Sequence, residues 1–296
     1  MTEHQKSKTQ WWYSMHILLL CTILTASPNE IATQSLLQAD KDFAAMADEA
    51  GYVKAFEYYV FPNGVLFQPG PMQLTTWLEN NKGERGRLQW QPNLSDAAVA
   101  GDLGYTSGPW VYTSADGKKN FGHYLTVWQK NHANAYQVIV DIGINHPEPS
   151  GAATKPECIG VAGITDDETG FEEEKLKLEK ADQNFLREAK KSGLIEAYLT
   201  FTEDSLKRFV SGSFPVSGQV EVLKTFKNTR SEESPEISIP VQFEVLGFDL
   251  SESKEFGYTF GKILFPEGNK ATDRYYLRIW KKSDSGEWLV AVEVMT

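Results

Sequence analysis

The chain has 296 residues, with 40 acidic and 29 basic side chains and a formal charge of −11. That balance excludes the basic face that nucleic acid requires and argues against adsorption to an anionic membrane. A hydrophobic share of 41%, with 8 Trp, 12 Tyr and 16 Phe, excludes a disordered chain, while two Cys and five His exclude a disulfide scaffold and a Cys-based zinc site.

The N-terminus comes first. Residues 17–26 read Ile-Leu-Leu-Leu-Cys-Thr-Ile-Leu-Thr-Ala, far short of the ~20 apolar residues that span a bilayer. Lys6 and Lys8 precede this run, and small residues followed by Pro28 come after it. The pattern predicts a signal peptide over residues 1–27, no membrane span, and a periplasmic or secreted mature protein. Cys158 is then the only thiol left, so no intrachain disulfide is expected.

From residue 33 onward the chain repeats itself. Ala39-Asp40-Lys41-Asp42-Phe43 is echoed by Ala181-Asp182-Gln183-Asn184-Phe185, and Gly51, Phe67 and Gly70 by Gly193, Phe209 and Gly212. Leu103-Gly104-Tyr105-Thr106-Ser107-Gly108 returns as Phe256-Gly257-Tyr258-Thr259-Phe260-Gly261, and Tyr124–Lys130 as Tyr276–Lys282. Two domains are expected, 33–146 and 176–296, joined by a Pro-rich and acidic linker over 147–175.

Each copy has the same grammar. Leu36, Ala39, Phe43 and Ala47 lie at helical spacing, as do Leu178, Ala181, Phe185 and Ala189. A short helix follows Gly51. Pro62-Asn63-Gly64 predicts a turn, Val65–Phe67 a strand, and Thr75–Glu79 a third helix. Strands are expected at Leu88–Gln91, Ala97–Ala100, Gly104–Thr113, Phe121–Lys130 and Tyr136–Asn145, with hairpin turns at Asn131–Asn134 and Ser283–Gly286. Helices followed by antiparallel strands make an α+β fold. The long strand near residue 125 is apolar on both faces, Leu125 and Val127 on one and Tyr124 and Trp128 on the other. Helices cover one face only, so intrachain pairing of the two domains is expected to cover the other. The run Glu172-Glu173-Glu174-Lys175 reads as a solvated helix start.

The order helix–helix–strand–helix–long strands, with Leu66-Phe67-Gln68-Pro69-Gly70-Pro71, Gly101–Gly108, Gly122–Trp128 and Val140–Gly143, resembles the nuclear-transport-factor-2-like superfamily, and its SnoaL-like members in particular. The resemblance implies two tandem cone domains, each with N-terminal helices packed on a curved antiparallel sheet around an apolar pocket. The second copy keeps the skeleton and loses several signature residues. Because this fold hosts isomerases, dehydratases, cyclases and ligand binders alike, it does not set the chemistry.

Two sets of residues could carry function. Phe56, Phe67, Trp77, Trp90, Tyr105, Trp110 and Trp128 are many large rings for one small domain. They would either line a pocket for a small apolar or aromatic ligand or fill the cone. His123 and Asp141 fall on the two strands of one hairpin. With an odd turn they share a sheet face and could act together as a general base; with an even turn they point apart. Tyr275 and Glu293 stand at the corresponding positions of the second copy, which therefore lacks the imidazole. Gly101–Gly108 has neither a dinucleotide nor a phosphate-loop pattern, no Gly-x-Ser-x-Gly elbow is present, and His123, His132 and His146 lack metal-ligand spacing. No cofactor and no metal are called for. Three readings stay open: a small-molecule binder, an acid–base lyase, isomerase or cyclase using His123 and Asp141, and a structural pseudo-dimer with both cones filled.

Overall fold

Residues 27–150, 157–158, 169–228, 242–267 and 270–296 are described by a computed structural model of the protein. The apolar run at 17–26 and much of the expected linker lie outside the described residues.

The first helix, α1 (Pro28–Ala50), starts at a capping box: Ser27 Oγ accepts the Glu30 N–H, and the Glu30 carboxylate accepts the Ser27 N–H at 2.7 Å. Leu36, Asp40, Phe43 and Ala47 form its buried stripe, and Gly51, at φ +90°, ends it. Then come α2 (Tyr52–Tyr59), β1 (Val60–Phe67), β2 (Pro71–Gln73), α3 (Leu74–Asn80), β3 (Arg87–Trp90), β4 (Leu94–Ala97), β5 (Leu103–Thr113), β6 (Lys119–Lys130), β7 (Tyr136–His146) and β8 (Glu157–Cys158). The sheet runs β2-β1-β7-β6-β5-β4-β8, with β3 also on β5. Its long hairpins are antiparallel as expected, but β1 closes onto β7 in parallel. The strand expected at Ala97–Ala100 lies earlier, because Ala98–Gly101 makes a turn closed by a hydrogen bond from Gly101 N–H to Ala98 O, with Gly101 at φ +67°.

The second unit repeats this order with one strand, β11, in place of β3 and β4: α4 (Phe171–Ser192), α5 (Leu194–Phe201), β9 (Thr202–Val210), β10 (Val216–Ser217), α6 (Gln219–Asn228), β11 (Gln242–Leu250), β12 (Phe256–Glu267), β13 (Lys270–Lys282) and β14 (Trp288–Met295), in a sheet ordered β10-β9-β14-β13-β12-β11. α4 begins inside the expected linker, and this corrects the reading of its acidic start. Glu172 and Glu173 are exposed, but Glu174 sits one turn before Leu178 on the inner stripe and is fully buried. It accepts Trp288 Nε1 at 2.8 Å and Lys282 Nζ at 2.9 Å.

The architecture is thus α+β, with helices on one face of each sheet. The opposite faces contribute to one apolar cluster that holds Leu125, Val127, Val140 and Ile142 together with Phe256, Leu277, Ile279 and Val292. Tyr105 stacks on Phe256 at a centroid distance of 6.2 Å, and Lys281 Nζ lies 3.0 Å from the buried Asp96 carboxylate. Tyr124 and Trp128 point the other way, toward the helices. No described helix is long and apolar enough to cross a membrane.

Candidate functional site

β6 and β7 carry the candidate site. Residues 131–135 connect them, an odd number that by itself would set His123 on the same face as Asp141. Ile139 alters this. Trp128 pairs with Val138 but Val127 pairs with Val140, so Ile139 is an extra residue in β7. This bulge turns the rest of β7 over. His123 now lies opposite Ile144, and Asp141 opposite Thr126. The two side chains leave the sheet on opposite faces, and the expected His123–Asp141 pair does not form. β14 carries the same bulge at Ala291, since Ile279 pairs with Val292 and Trp280 with Val290.

His123 faces the second unit, its ring 6.0 Å from that of Phe209. Its partner is His146, with Nδ1 2.8 Å from His146 Nε2. His146 Nδ1 lies 2.7 Å from the carbonyl oxygen of Pro147, which only accepts, so that nitrogen carries the proton. His146 Nε2 therefore accepts, and His123 Nδ1–H donates. Burial, reinforced by His146, pushes the His123 pKa down to about 4, so the ring is neutral at physiological pH. His132 is exposed in the hairpin turn. Among the described residues no group of three or more His, Cys, Asp or Glu is placed to hold a metal ion.

Asp141 points into the first cone. A cavity of about 1110 Å³ opens there, large for a small-molecule site. Phe56, Phe67, Trp77, Trp90 and Trp110 of the expected aromatic set border it. Phe56 stacks on Trp77 at 4.7 Å, and Phe67 also reaches Phe260 and Tyr275 of the second unit at about 6 Å. Tyr105 and Trp128 are corrections to that set. Tyr105 lies on the opposite sheet face against Phe256. Trp128 is fully buried behind the cavity, its Nε1 donating to Thr106 Oγ1 at 2.7 Å.

Three polar groups missed in the sequence shape the cone. Asp40, buried on α1, accepts Tyr124 OH at 2.6 Å and Trp90 Nε1 at 2.8 Å. Thr126 donates to Asp141 Oδ1 at 2.5 Å. The signal was present: Asp40 shares a helical stripe with Leu36 and Phe43, and Asp182 repeats it with Leu178 and Phe185. Burial pushes the Asp141 pKa from 3.8 up to about 7; the Thr126 hydrogen bond works against this and the nearby Asp40 charge with it. A carboxyl poised near neutrality can hold or release a proton, or bind a hydrogen-bond donor.

The second cone is furnished differently. Arg278 stands where the first unit has Thr126, opposite Glu293, and Arg208 stands where it has Leu66. Arg278 Nη1 lies 2.7 Å from Asp182 and its Nε 2.9 Å from Glu293. Arg208 Nε lies 3.1 Å from Glu293, which also accepts Tyr198 OH. Burial alone would raise the Glu293 pKa, but the two guanidiniums hold it below the usual carboxylate value.

No family model and no curated protein matches this chain. Solved structures do. It is similar to an NTF-2-like protein of unknown function from Shewanella oneidensis, with 16% identity over 40% of this chain and 95% of that one and a TM-score of 0.34. It is similar to a ketosteroid isomerase-like protein from Erwinia carotovora, with 16% identity, 42% and 96% coverage and a TM-score of 0.35. A nuclear transport factor 2-like superfamily protein from Salmonella enterica matches at 14% identity, with 41% and 94% coverage and a TM-score of 0.32. Each spans about 40% of this chain.

Proposed function

We propose that this protein is exported and that its first unit binds a small, largely apolar or aromatic molecule in its cone, against Asp141, while the second unit is its intrachain sheet partner. One observation carries the reading: a cavity of about 1110 Å³ is walled in part by Phe56, Trp77, Trp90 and Trp110, and Asp141, hydrogen-bonded by Thr126, opens onto it. Rings supply apolar contact area and the carboxyl fixes orientation. A second reading draws on the Asp141 pKa of about 7. Asp141 acts alone as the general acid or base of an isomerase- or lyase-type reaction, without His123.

Gly143 supplies the test. It borders the cavity, and a side chain there would first meet Trp110 Nε1 at 3.4 Å. Gly143→Leu pushes a branched side chain into the space beside Trp110, two residues from Asp141 on the same sheet face, with little strain on the backbone. In a thermal-shift screen of aromatic compounds the wild-type chain should melt higher with its binders, by mass action, and the Gly143→Leu chain should not. Equal shifts in both chains place binding elsewhere. For the export part of the reading, protein from the native host should begin near residues 26–33; recovery of intact Met1 would oppose it.

A further inference from the structure

The two cones can be superposed through their own hydrogen bonds. Trp128 donates to Thr106 as Trp280 donates to Thr259, and Tyr124 donates to Asp40 as Tyr276 donates to Asp182. Thr126 faces Asp141 as Arg278 faces Glu293. In the second cone the Arg278 guanidinium is held by four groups. Asp182 and Glu293 supply charge-assisted hydrogen bonds, and the rings of Phe185 and Tyr276 lie 3.9 and 4.5 Å from its central carbon. Each of the four has a counterpart in the first cone: Asp40, Asp141, Phe43 and Tyr124. Phe43, Tyr124 and Asp141 border the cavity. The cation has no counterpart, because Thr126 ends at a short hydroxyl.

We infer that the first cone binds a small molecule that carries an organic cation, an ammonium, amidinium or guanidinium, on an aromatic body, with the cation beside Asp141 where Arg278 places its guanidinium in the second cone. This rests on the reading of the first cone as a ligand site and names the class of its ligand. Two details set the contact. The Asp40 oxygen that corresponds to the Arg278-bound oxygen of Asp182 takes Trp90 Nε1, so Asp40 is already engaged by Trp90 and Tyr124. Among the described residues Asp141 accepts one hydrogen bond, from Thr126, whereas Glu293 accepts from Arg278, Arg208 and Tyr198. A carboxylate has about four lone-pair sites, so Asp141 has the capacity for an ammonium or a bidentate guanidinium. Its surroundings suit the rest of such a molecule, since Phe56 and Trp110 face the same space. Glu84 and Glu148 also border the cavity, against Lys119 as the single Lys or Arg among the described residues.

Shape-matched probes decide the matter on the full chain: 2-phenylethylamine against 2-phenylethanol, and tryptamine against tryptophol, by calorimetric titration at neutral pH. The amine of each pair should bind at least about tenfold tighter than its alcohol, as a desolvated charge-assisted contact does. Asp141→Asn should remove that preference. Thr126→Arg, which installs the arginine of the second cone, should raise the melting temperature and abolish amine binding; should that chain fail to fold, Thr126→Lys and Asp141→Asn give the same decision. Alcohols binding as tightly as amines would overturn the cation while leaving the cavity as a ligand site. Binding of neither class, with no stabilisation by the installed cation, would overturn both.

Discussion

Replacing Asp141 by Asn should stabilise the chain at neutral pH. In the folded protein burial pushes the Asp141 pKa from 3.8 up to about 7. In the unfolded chain it is ordinary. Between those values the unfolded chain ionises Asp141 while the folded chain keeps its proton. The stability tied to this group is therefore complete below about pH 4 and is lost as pH rises toward 7. At ~1.36 kcal/mol per pH unit the gap sets a ceiling of ~4 kcal/mol, and solvent entering through the cavity reduces it to roughly 1–3 kcal/mol. The amide oxygen introduced by Asp141→Asn would still accept the Thr126 hydroxyl, so the variant removes the charge and keeps the hydrogen bond. The groups around the carboxyl, Asp40, Tyr124 and Thr126, are unchanged, and other buried acids such as Asp96 contribute equally to both chains. Melting curves from pH 4 to 8 should coincide at pH 4 and separate by several degrees at pH 8, at roughly 2–4 °C per kcal/mol, with the variant higher. A variant that melts lower at pH 8, or a difference that ignores pH, would refute the burial argument.

His123→Leu should leave the binding of a ligand held at Asp141 within about twofold, since its ring leaves the sheet on the face opposite Asp141, against Phe209. His123 is held neutral with a pKa pushed down to about 4, so its contribution is present above pH 6.5 and lost as pH falls toward 4; the variant should lose roughly 1–3 kcal/mol less stability than wild type over that window, by acid melts. Under the proposed pairing, a chain ending at residue 150 bares Leu125, Val127, Val140 and Ile142, each worth ~1.5–3 kcal/mol when covered. It should self-associate in light scattering; a monomer at high concentration would count against the pairing.

Much of the architecture was legible in residue spacing. The stripe Leu36–Phe43–Ala47 and its copy Leu178–Phe185–Ala189 predicted both long helices, and the double-sided apolar character of Tyr124–Trp128 predicted that both faces of β6 would be covered. The candidate site was less legible, for a local reason. The parity of the hairpin turn gives the wrong face for Asp141, because one extra residue, Ile139, reverses it, and nothing in the sequence of an apolar strand marks which residue bulges. Glu174 was misjudged from its acidic run, and no role was read for Asp40. Acidic residues on a helix are usually solvated, yet their positions one turn from Leu36 and Leu178 place them inside, where Tyr124 and Trp90 bind Asp40 and Trp288 and Lys282 bind one oxygen of Glu174. The exchange of Thr126 for Arg278 was visible in the aligned copies, but its meaning depends on the carboxylates that only the fold brings together.

The central claim, that the first cone holds a small organic molecule, is tested most directly by native mass spectrometry of the chain purified under mild conditions from its own host. The wild-type protein should carry the added mass of a single small organic molecule, and the Gly143→Leu chain prepared identically should not. The same mass above the bare chain in both proteins, or none in either, would contradict it.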